Sequence, residues 1–392
     1  RSVSDCVIYS ASKQSVIDEI RDQLPTVKHF ICMDEIVEDD MNYSFWKMLE
    51  RGRELLEAGN RLFLDAPIDA EAMTILLFTS GTTDKAKAVM LSQHNITANL
   101  EGMCSMLYIG PGDVFLSVLP LHHTYECTCG FLCQVYRGST IAQCEGLRYI
   151  AKNMQEAKIT MILVVPLMLE MFHRMIMKKA KADEKTARKF NFGIKLTKTL
   201  RKIGIDRRRQ VFKAVHDNFG GHLRMIISGG AGINPQILAD MQDMGIECVQ
   251  GYGLTECAPI LALNRDIDFN NRAAGLPLPG VDVKIIDKDE NGIGEFIGKG
   301  PNVMIGYYEN TEATKGAIDE DGYYHTGDLG YLDKDNFVII TGRKKNVIIS
   351  KNGKNIFPEE IEQLLSRSEY ITESLVSGED DGKEDIIVTA EI

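Results

Sequence analysis

No apolar run in this 392-residue chain is long enough to span a bilayer. The longest stretch, 161–169, is interrupted by Pro166, and another lies around Leu76. The opening residues Arg1-Ser2-Val3-Ser4-Asp5-Cys6 lack the apolar core of a secretory signal, so none is expected. Basic excess is also missing. Lys and Arg number 44 against 56 Asp and Glu, giving a formal net charge of −12 and a pI near 5.3. A general nucleic-acid binder would be basic, so no nucleic-acid partner is expected. Regular cysteine spacing is absent too. Nine scattered cysteines argue for a reducing, cytoplasmic setting. Cys127, Cys129, Cys133 and Cys144 cluster, but C-x-C-x-x-x-C matches no usual zinc spacing. Apolar Phe131, Leu132 and Val135 run among them, so these thiols read as core packing.

What is present is ordinary for a globular protein: 44% hydrophobic and 26% charged residues, with length for two or three domains. Strands are expected at Cys6–Tyr9, 29–33, 114–119, 139–142, 160–165, Met225–Ser228 and 247–250. Helical patterns fall between them at 13–24, 92–106, 147–157, 166–179, 207–218 and 235–244. Such alternation predicts an α/β fold with a mostly parallel sheet and flanking helices over residues 1–270. Beyond Asn271 the pattern changes. Val281, Val283 and Ile285 alternate with Asp282, Lys284 and Ile286, and Asp289-Glu290-Asn291-Gly292 supplies a turn. A small antiparallel β unit is expected at 271–342. The charged Arg343-Lys344-Lys345-Asn346 opens a third segment, 343–392, with a strand at 347–350 and a helix at Pro358–Leu365. That segment is short of a normal domain.

The stretch Phe78-Thr79-Ser80-Gly81-Thr82-Thr83-Asp84-Lys85-Ala86-Lys87 follows an apolar run, 73–77, that reads as a buried strand. Hydroxyls, a glycine and lysines in one short loop can offer N–H groups, hydroxyl donors and positive charge to a polyphosphate. A polar surface turn has the same composition, and the G-x-x-x-x-G-K-[ST] spacing of the common P-loop is not met. Further on, Gly229-Gly230-Ala231-Gly232 closes the strand Met225–Ser228, where missing side chains let a flat ligand approach the backbone. Gln250-Gly251-Tyr252-Gly253-Leu254-Thr255-Glu256 closes the next strand. Tyr252 can stack on a base, Thr255 can donate to a phosphate, and Glu256 offers Mg2+ a hard oxygen. In Tyr324-His325-Thr326-Gly327-Asp328, the carboxylate can accept from both hydroxyls of a ribose. Thr341-Gly342-Arg343-Lys344-Lys345 comes last, before Gly353-Lys354-Asn355-Ile356-Phe357-Pro358-Glu359-Glu360-Ile361-Glu362. Singly, each motif is no more than turn chemistry. From Lys178 to Lys213 the charge reverses, with many Lys and Arg and few acids. That segment reads as a solvated helical face, or as a contact for an anionic membrane or an acidic cofactor.

Taken in order, these motifs resemble the adenylate-forming enzymes: acyl-CoA synthetases, luciferases and the adenylation domains of peptide synthetases. The stretch 78–89 resembles their phosphate loop, and 252–256 their Tyr-Gly-x-Thr-Glu element. Residues 324–328 and 342–362 match later motifs, so the resemblance covers nearly the whole chain. Leu119-Pro120-Leu121-His122-His123-Thr124-Tyr125-Glu126 and 220–231 resemble the long-chain acyl-CoA synthetase branch, as do the basic helical segment and 300–308. The resemblance implies a reaction in two halves. A fatty carboxylate attacks the α-phosphate of MgATP, and pyrophosphate leaves an acyl-adenylate. The thiol of coenzyme A then attacks the acyl carbon and AMP leaves. By resemblance, Thr79, Ser80, Gly81, Thr82, Thr83 and Lys87 hold the β- and γ-phosphates. Glu256 holds Mg2+, Thr255 the α-phosphate, and Asp328 with Arg343 the ribose. Gly229, Gly230, Ala231, Gln250, Gly251, Tyr252 and Gly253 line the nucleotide. His123 stands near the acyl tunnel, or is a structural histidine, and Lys345 matches the hinge of the family's small domain. Catalysis falls to Thr255, Glu256, His123 and Lys87. Partners are then a fatty acid, ATP and coenzyme A, with peripheral membrane contact through the basic segment. Acyl chain length is not readable, because a tunnel is lined by dispersed apolar residues. Another acid–CoA or acyl-carrier-protein ligase, or a non-catalytic nucleotide binder, stays open.

The chain departs from the family pattern in two places. Asp84, Ala86 and Ala88 stand where the family usually has Gly, Pro and Gly. The family's late Gly-Lys motif has no counterpart between Ser366 and Ile392, and its early part would lie upstream of Arg1. The expectation is a fragment that binds ATP or acyl-adenylate and adenylates slowly. Asp84 brings negative charge toward the expected triphosphate, so Asp84→Gly is expected to tighten ATP binding. Titration calorimetry reads this directly, and equal or weaker affinity would refute it.

Overall fold

The strand Met161–Val164 shows why the main sheet forms where it does. All four of its residues are buried, with Met161 and Leu163 in one core cluster and Ile162 and Val164 in another. Side chains alternate across a strand, so a run apolar at every position belongs to a sheet covered on both faces. The computed structural model that shows this describes residues 3–79, 86–349, 355–365, 368, 371, 374–380 and 386–391. Two compact units result, Arg1–Ala70 and Glu71–Ile392.

In the first unit, β1 (Cys6–Tyr9), β2 (His29–Cys32) and β3 (Asn42–Ser44) pair in parallel in that order. Helix α1 (Gln14–Ile20) joins β1 to β2, and α2 (Phe45–Glu57) follows β3. Tyr9, Ile17, Val27, Phe30 and Cys32 form its core.

The second unit opens with an antiparallel pair, β4 (Met73–Thr79) and β5 (Lys87–Ser92). Its main sheet takes β6 (Val114–Ser117), β7 (Thr140–Gln143), β8 (Met161–Val164), β9 (Met225–Ser228), β10 (Glu247–Gly253), β11 (Ile260–Leu263) and β12 (Leu276–Pro277). Their order is β12-β11-β10-β9-β8-β6-β7, parallel from β10 to β7 and antiparallel beyond β10. Next come β13 (Asp282–Ile286), β14 (Gly294–Lys299), β15 (Gly306–Tyr307), β16 (Tyr324–Leu332) and β17 (Val338–Arg343). Of these, β15 returns to the free edge of β5, and the others form an antiparallel sheet in the order β13-β14-β16-β17. Two short hairpins end the chain, β18 (Ile348–Ile349) with β19 (Asn355–Ile356), and β20 (Leu375–Asp380) with β21 (Ile386–Glu391). The expected α/β architecture, with a parallel-rich sheet and a separate antiparallel one, is the one observed.

Helices cover both faces of the main sheet. Helix α3 (Gln93–Met106) begins at a capping box in which Ser92 and Asn95 bond reciprocally. A π-helix, Tyr125–Leu132, runs into α4 (Cys133–Arg137). Then follow α5 (Ile150–Glu156), α6 (Pro166–Ala180), α7 (Glu184–Lys202), α8 (Arg208–Val211), α9 (Lys213–Asn218), α10 (Pro235–Asp243), α11 (Thr311–Ala317) and α12 (Pro358–Leu365). Three local readings need correction. The run 73–77 is not buried: β4 is an edge strand with Met73 exposed. Phe78, Thr79 and Lys87 lie on strands rather than in a loop, because the β4–β5 ladder extends to the pair Thr79–Lys87. The helix expected over 207–218 breaks at Phe212, whose ring turns inward against Phe190, 5.4 Å away.

Two adjacent glycines separate backbone conformation from crowding. Gly220 and Gly221 have φ of +80° and +78°, but only at Gly220 would a Cβ collide, 2.6 Å from the Met154 carbonyl oxygen. Gly221→Ala is expected to cost about 1–2 kcal/mol for the left-handed backbone alone. Overlap should add about 1–3 kcal/mol at Gly220→Ala. Denaturant unfolding of the two variants checks the difference.

Candidate active site at the carboxyl ends of the parallel strands

The parallel strands β9 and β10 both end in glycines, at Gly229–Gly230 and Gly251–Gly253. In open α/β sheets, ligands bind beyond the carboxyl ends of such strands. Gly229 makes room for a neighbour of its own. A Cβ there would sit 2.9 Å from the Tyr125 ring, and the Tyr125 hydroxyl donates to the Ile227 carbonyl at 3.0 Å. Gly230, with φ of +89°, faces open space, and Ala231 is exposed. The residue before Tyr125 reaches the second strand end: the Thr124 hydroxyl donates to Thr255 Oγ1 at 3.3 Å.

Glu256 is held at its side chain and its backbone by one segment, from Met304 to Tyr307. Its Oε1 accepts from the Tyr307 hydroxyl at 2.9 Å, and its backbone carbonyl from the Met304 N–H at 2.8 Å. The turn that follows is clamped from two sides. The side-chain amides of Asn99 and Asn302 each donate to the carbonyls of Cys257 and Ile260, at 2.8–3.1 Å. Lys87 joins this group, its ammonium 4.8 Å from the Tyr307 ring centre. Burial, and then the adjacent Glu256, push the Tyr307 phenol up, so it stays a donor at neutral pH.

A second cluster lies across the neighbouring sheet. Asp328 is 4% exposed, and Tyr252 donates to its Oδ2 at 2.7 Å. Arg343, facing Asp328 in the β16–β17 register, reaches Oδ1 at 3.0 Å. Burial raises the Asp328 carboxyl, opposed by the Tyr252 hydrogen bond and the Arg343 charge. Nearby, Lys344 pairs with the buried Glu295 at 2.8 Å. Lys345 lies in the exposed turn Lys344–Asn346.

The remaining expected residues are less integrated. Gln250 turns its amide to the carbonyls of Ala273 and Asn271, which gives it a structural task. His123 is exposed, with its ring 4.5 Å from that of His122. Thr79 donates to the Lys87 carbonyl at 3.4 Å. Ser80, Gly81, Thr82, Thr83 and Asp84 lie outside the described residues. Tyr307, Tyr125, Asn99 and Asn302 carry much of the geometry, yet sequence gave them no role. Tyr125, Asn302 and Tyr307 lie in the branch-like blocks 119–126 and 300–308, but nothing in those strings assigned them a task, and Asn99 lies in none.

A profile of the AMP-binding enzyme family matches residues 2–308. The chain belongs to this family. Long-chain-fatty-acid–CoA ligase 6 of Mus musculus is 30% identical over 329 residues, which are 80% of this chain and 47% of the relative. The chain thus spans about half the length of the curated relatives it matches. ATP-bound MatB from Rhodopseudomonas palustris superposes with a TM-score of 0.73 at 24% identity, over 99% of this chain and 69% of that one. An O-succinylbenzoate coenzyme A synthetase from Bacillus subtilis, solved with ATP and magnesium, gives 0.69 at 22% identity, over 99% and 69%. These two likenesses show the shared fold.

In this AMP-binding chain, one buried acid stands directly behind the site. Glu126 follows Thr124 and Tyr125, and its Oε1 accepts from the Ser117 hydroxyl at 2.5 Å. Its Oε2 is buried without a partner among the described residues. Burial pushes the carboxyl up to about 7, against hydrogen bonds from Ser117 and the Leu119 N–H. Such a group favours the folded state below the ordinary 4.5 and loses that contribution as pH rises through about 7. At about 1.4 kcal/mol per pH unit, the loss is roughly 3 kcal/mol. Glu126→Gln is therefore expected to flatten stability between those pH values and to raise it by about 2 kcal/mol at pH 8. Melting curves across that range check the sign, and a variant with the parent's slope would exclude Glu126 as its source.

Proposed function

We propose that the chain is the nucleotide- and acid-binding part of an AMP-forming long-chain fatty acid–CoA ligase. The observation that carries this reading is the line of contacts from Lys87 to Tyr307 to Glu256, beside the Thr124–Thr255 pair, with Tyr252, Asp328 and Arg343 joined around one carboxylate. Relatives named as long-chain-fatty-acid–CoA ligases support the substrate class.

Attack of a carboxylate on a triphosphate brings two anions together, so neutralisation and alignment carry the catalysis. Lys87 and Thr79, with the loop residues Ser80, Gly81, Thr82 and Thr83, hold the β- and γ-phosphates. Thr255 donates to the α-phosphate. Glu256 offers one carboxylate with Oε1 already bonded to Tyr307, a donor set that fits Mg2+, which takes few protein carboxylates and completes its shell with phosphate and water. Bound there, the ion would neutralise charge on the phosphates. Each oxygen of Asp328 keeps a lone pair beyond its Tyr252 or Arg343 bond, enough for the ribose hydroxyls. Gly229, Gly230, Ala231, Gln250, Gly251 and Gly253 border the nucleotide, and His123 meets the acid. Residues 1–270 and 271–342 serve as the large domain and its β unit, and 343–392 turns about Lys345. The segment from Lys178 to Lys213 makes a peripheral contact with the membrane; no helix among the described residues is long and apolar enough to cross one.

Acid-dependent ATP–pyrophosphate exchange, with acids of graded length, tests this reading. Long-chain acids are expected to support exchange best. Asp328→Ala should weaken ATP binding by about 10–100-fold, as befits lost hydrogen bonds to a charged group. Glu256→Gln should lower exchange by about 100-fold or more. A preference for short or aromatic acids would favour another acid–CoA or acyl-carrier-protein ligase. Nucleotide binding without exchange for any acid would leave a non-catalytic binder.

A further inference from the structure

Helix α7 carries the reversal of charge, and its surface is ordered. Between Lys178 and Lys213 stand 14 Lys and Arg against three acids, in a chain of net charge −12. At 3.6 residues per turn, Phe190, Ile194 and Thr197 share one side of α7. That side packs inward: Thr197 is buried, Ile194 joins the core, and Phe190 meets Phe212. The opposite side holds a line of Phe192, Leu196 and Ile203, flanked by Lys185, Lys189 and Lys195. Phe192 is 67% exposed and Ile203 69%. The acid of the first turn, Glu184, is neutralised by Arg188 at 2.5 Å. Other cations of the segment are engaged inside the protein. Arg208 binds Asp206 and Glu247, and Arg209 the carbonyls of Leu223 and Gly221.

Beside this face, α6, α7, α8 and α9 leave a crevice of about 270 Å³. Ile176, Val211, Phe212 and Val215 give it apolar walls, and Lys179 and Lys189 line it too. Lys189 therefore belongs both to the crevice and to the outer face.

A merely solvated helix would carry polar residues where Phe192, Leu196 and Ile203 stand. A protein-binding face would be depleted in lysine relative to the rest of the surface, and this one is enriched in it. An apolar line between lysines suits a surface that is hydrocarbon below and anionic above, because lysine stems lie along apolar groups while ammonium heads reach phosphates. We propose that the outer face of α7 docks on an anionic phospholipid bilayer, with Phe192, Leu196 and Ile203 entering the acyl boundary and one lipid chain seated in the crevice. This deepens the peripheral contact named above, but it does not rest on the ligase chemistry, since vesicle binding requires no turnover.

Flotation of the full chain with phosphatidylglycerol–phosphatidylcholine vesicles, and with phosphatidylcholine alone, tests it. Binding is expected to the mixed vesicles only, and to fall as salt is raised. The double variants Phe192→Ser with Ile203→Ser, and Lys189→Glu with Lys195→Glu, should each lower it by about tenfold or more. These positions are exposed, so melting temperatures should match the parent. In a Trp46→Phe background, the fluorescence of Val211→Trp should be quenched by lipid brominated along its chains. Equal binding to neutral vesicles, insensitivity to salt, or parent-like binding by both double variants would overturn the proposal. So would uptake of monomeric fatty acid by the crevice in a chain that ignores vesicles. The vesicle and salt series use the unaltered protein, and decide the matter even if a variant fails to fold.

Discussion

The hydrogen bond from Tyr252 to Asp328 holds the candidate site together. Tyr252 ends a strand of the seven-stranded sheet, and Asp328 belongs to the antiparallel four-stranded sheet. Burying a carboxylate is costly unless donors replace water. Tyr252 supplies one and Arg343 the other, so neither sheet completes the environment of Asp328 alone. An inner strand of the four-stranded sheet, β16, is thereby registered against the glycine-rich end of β10.

The second wall follows the same logic with different chemistry. Glu256 lies on a turn whose carbonyls are tied by Asn99 from α3 and by Asn302 from the segment before β15. Asn95, one turn earlier on α3, holds the carbonyls of Pro301 and Val303. Helix α3 thus fixes both the turn and the segment that carries Tyr307. Lys87 comes from β5, and reaches the same place because β15 pairs with β5. Distances near Glu256 are therefore consequences of the packing of α3.

Local pattern made much of this architecture legible. Strands Cys6–Tyr9 and Met225–Ser228, and helix Pro358–Leu365, agree with their sequence readings in both bounds. Each is a run whose own periodicity or turn residues suffice. Strands β12 and β15, two residues each, carry no period and exist only through their partners. Lys87 was misplaced because strand pairing, not local polarity, decides where the loop ends. At the candidate site, sequence reading singles out residues with distinctive chemistry in a recurrent order, and the fold brings three of them, Tyr252, Asp328 and Arg343, into contact. Residues that act by supporting them are not singled out. Asn99 lies 158 positions from the Cys257 carbonyl it binds, and no spacing rule connects the two. Glu126 looked like any charged residue beside a histidine motif until the fold buried it.

The fit of Tyr125 under Gly229 carries a consequence for how this region can vary. The ring fills the volume a side chain at 229 would need, and its hydroxyl is fastened to the strand beneath. A larger residue at 229 therefore demands a smaller one at 125, which would remove the hydroxyl that bonds the Ile227 carbonyl. Positions 125 and 229 thus vary in a fixed order: the ring at 125 must shrink before a side chain can appear at 229.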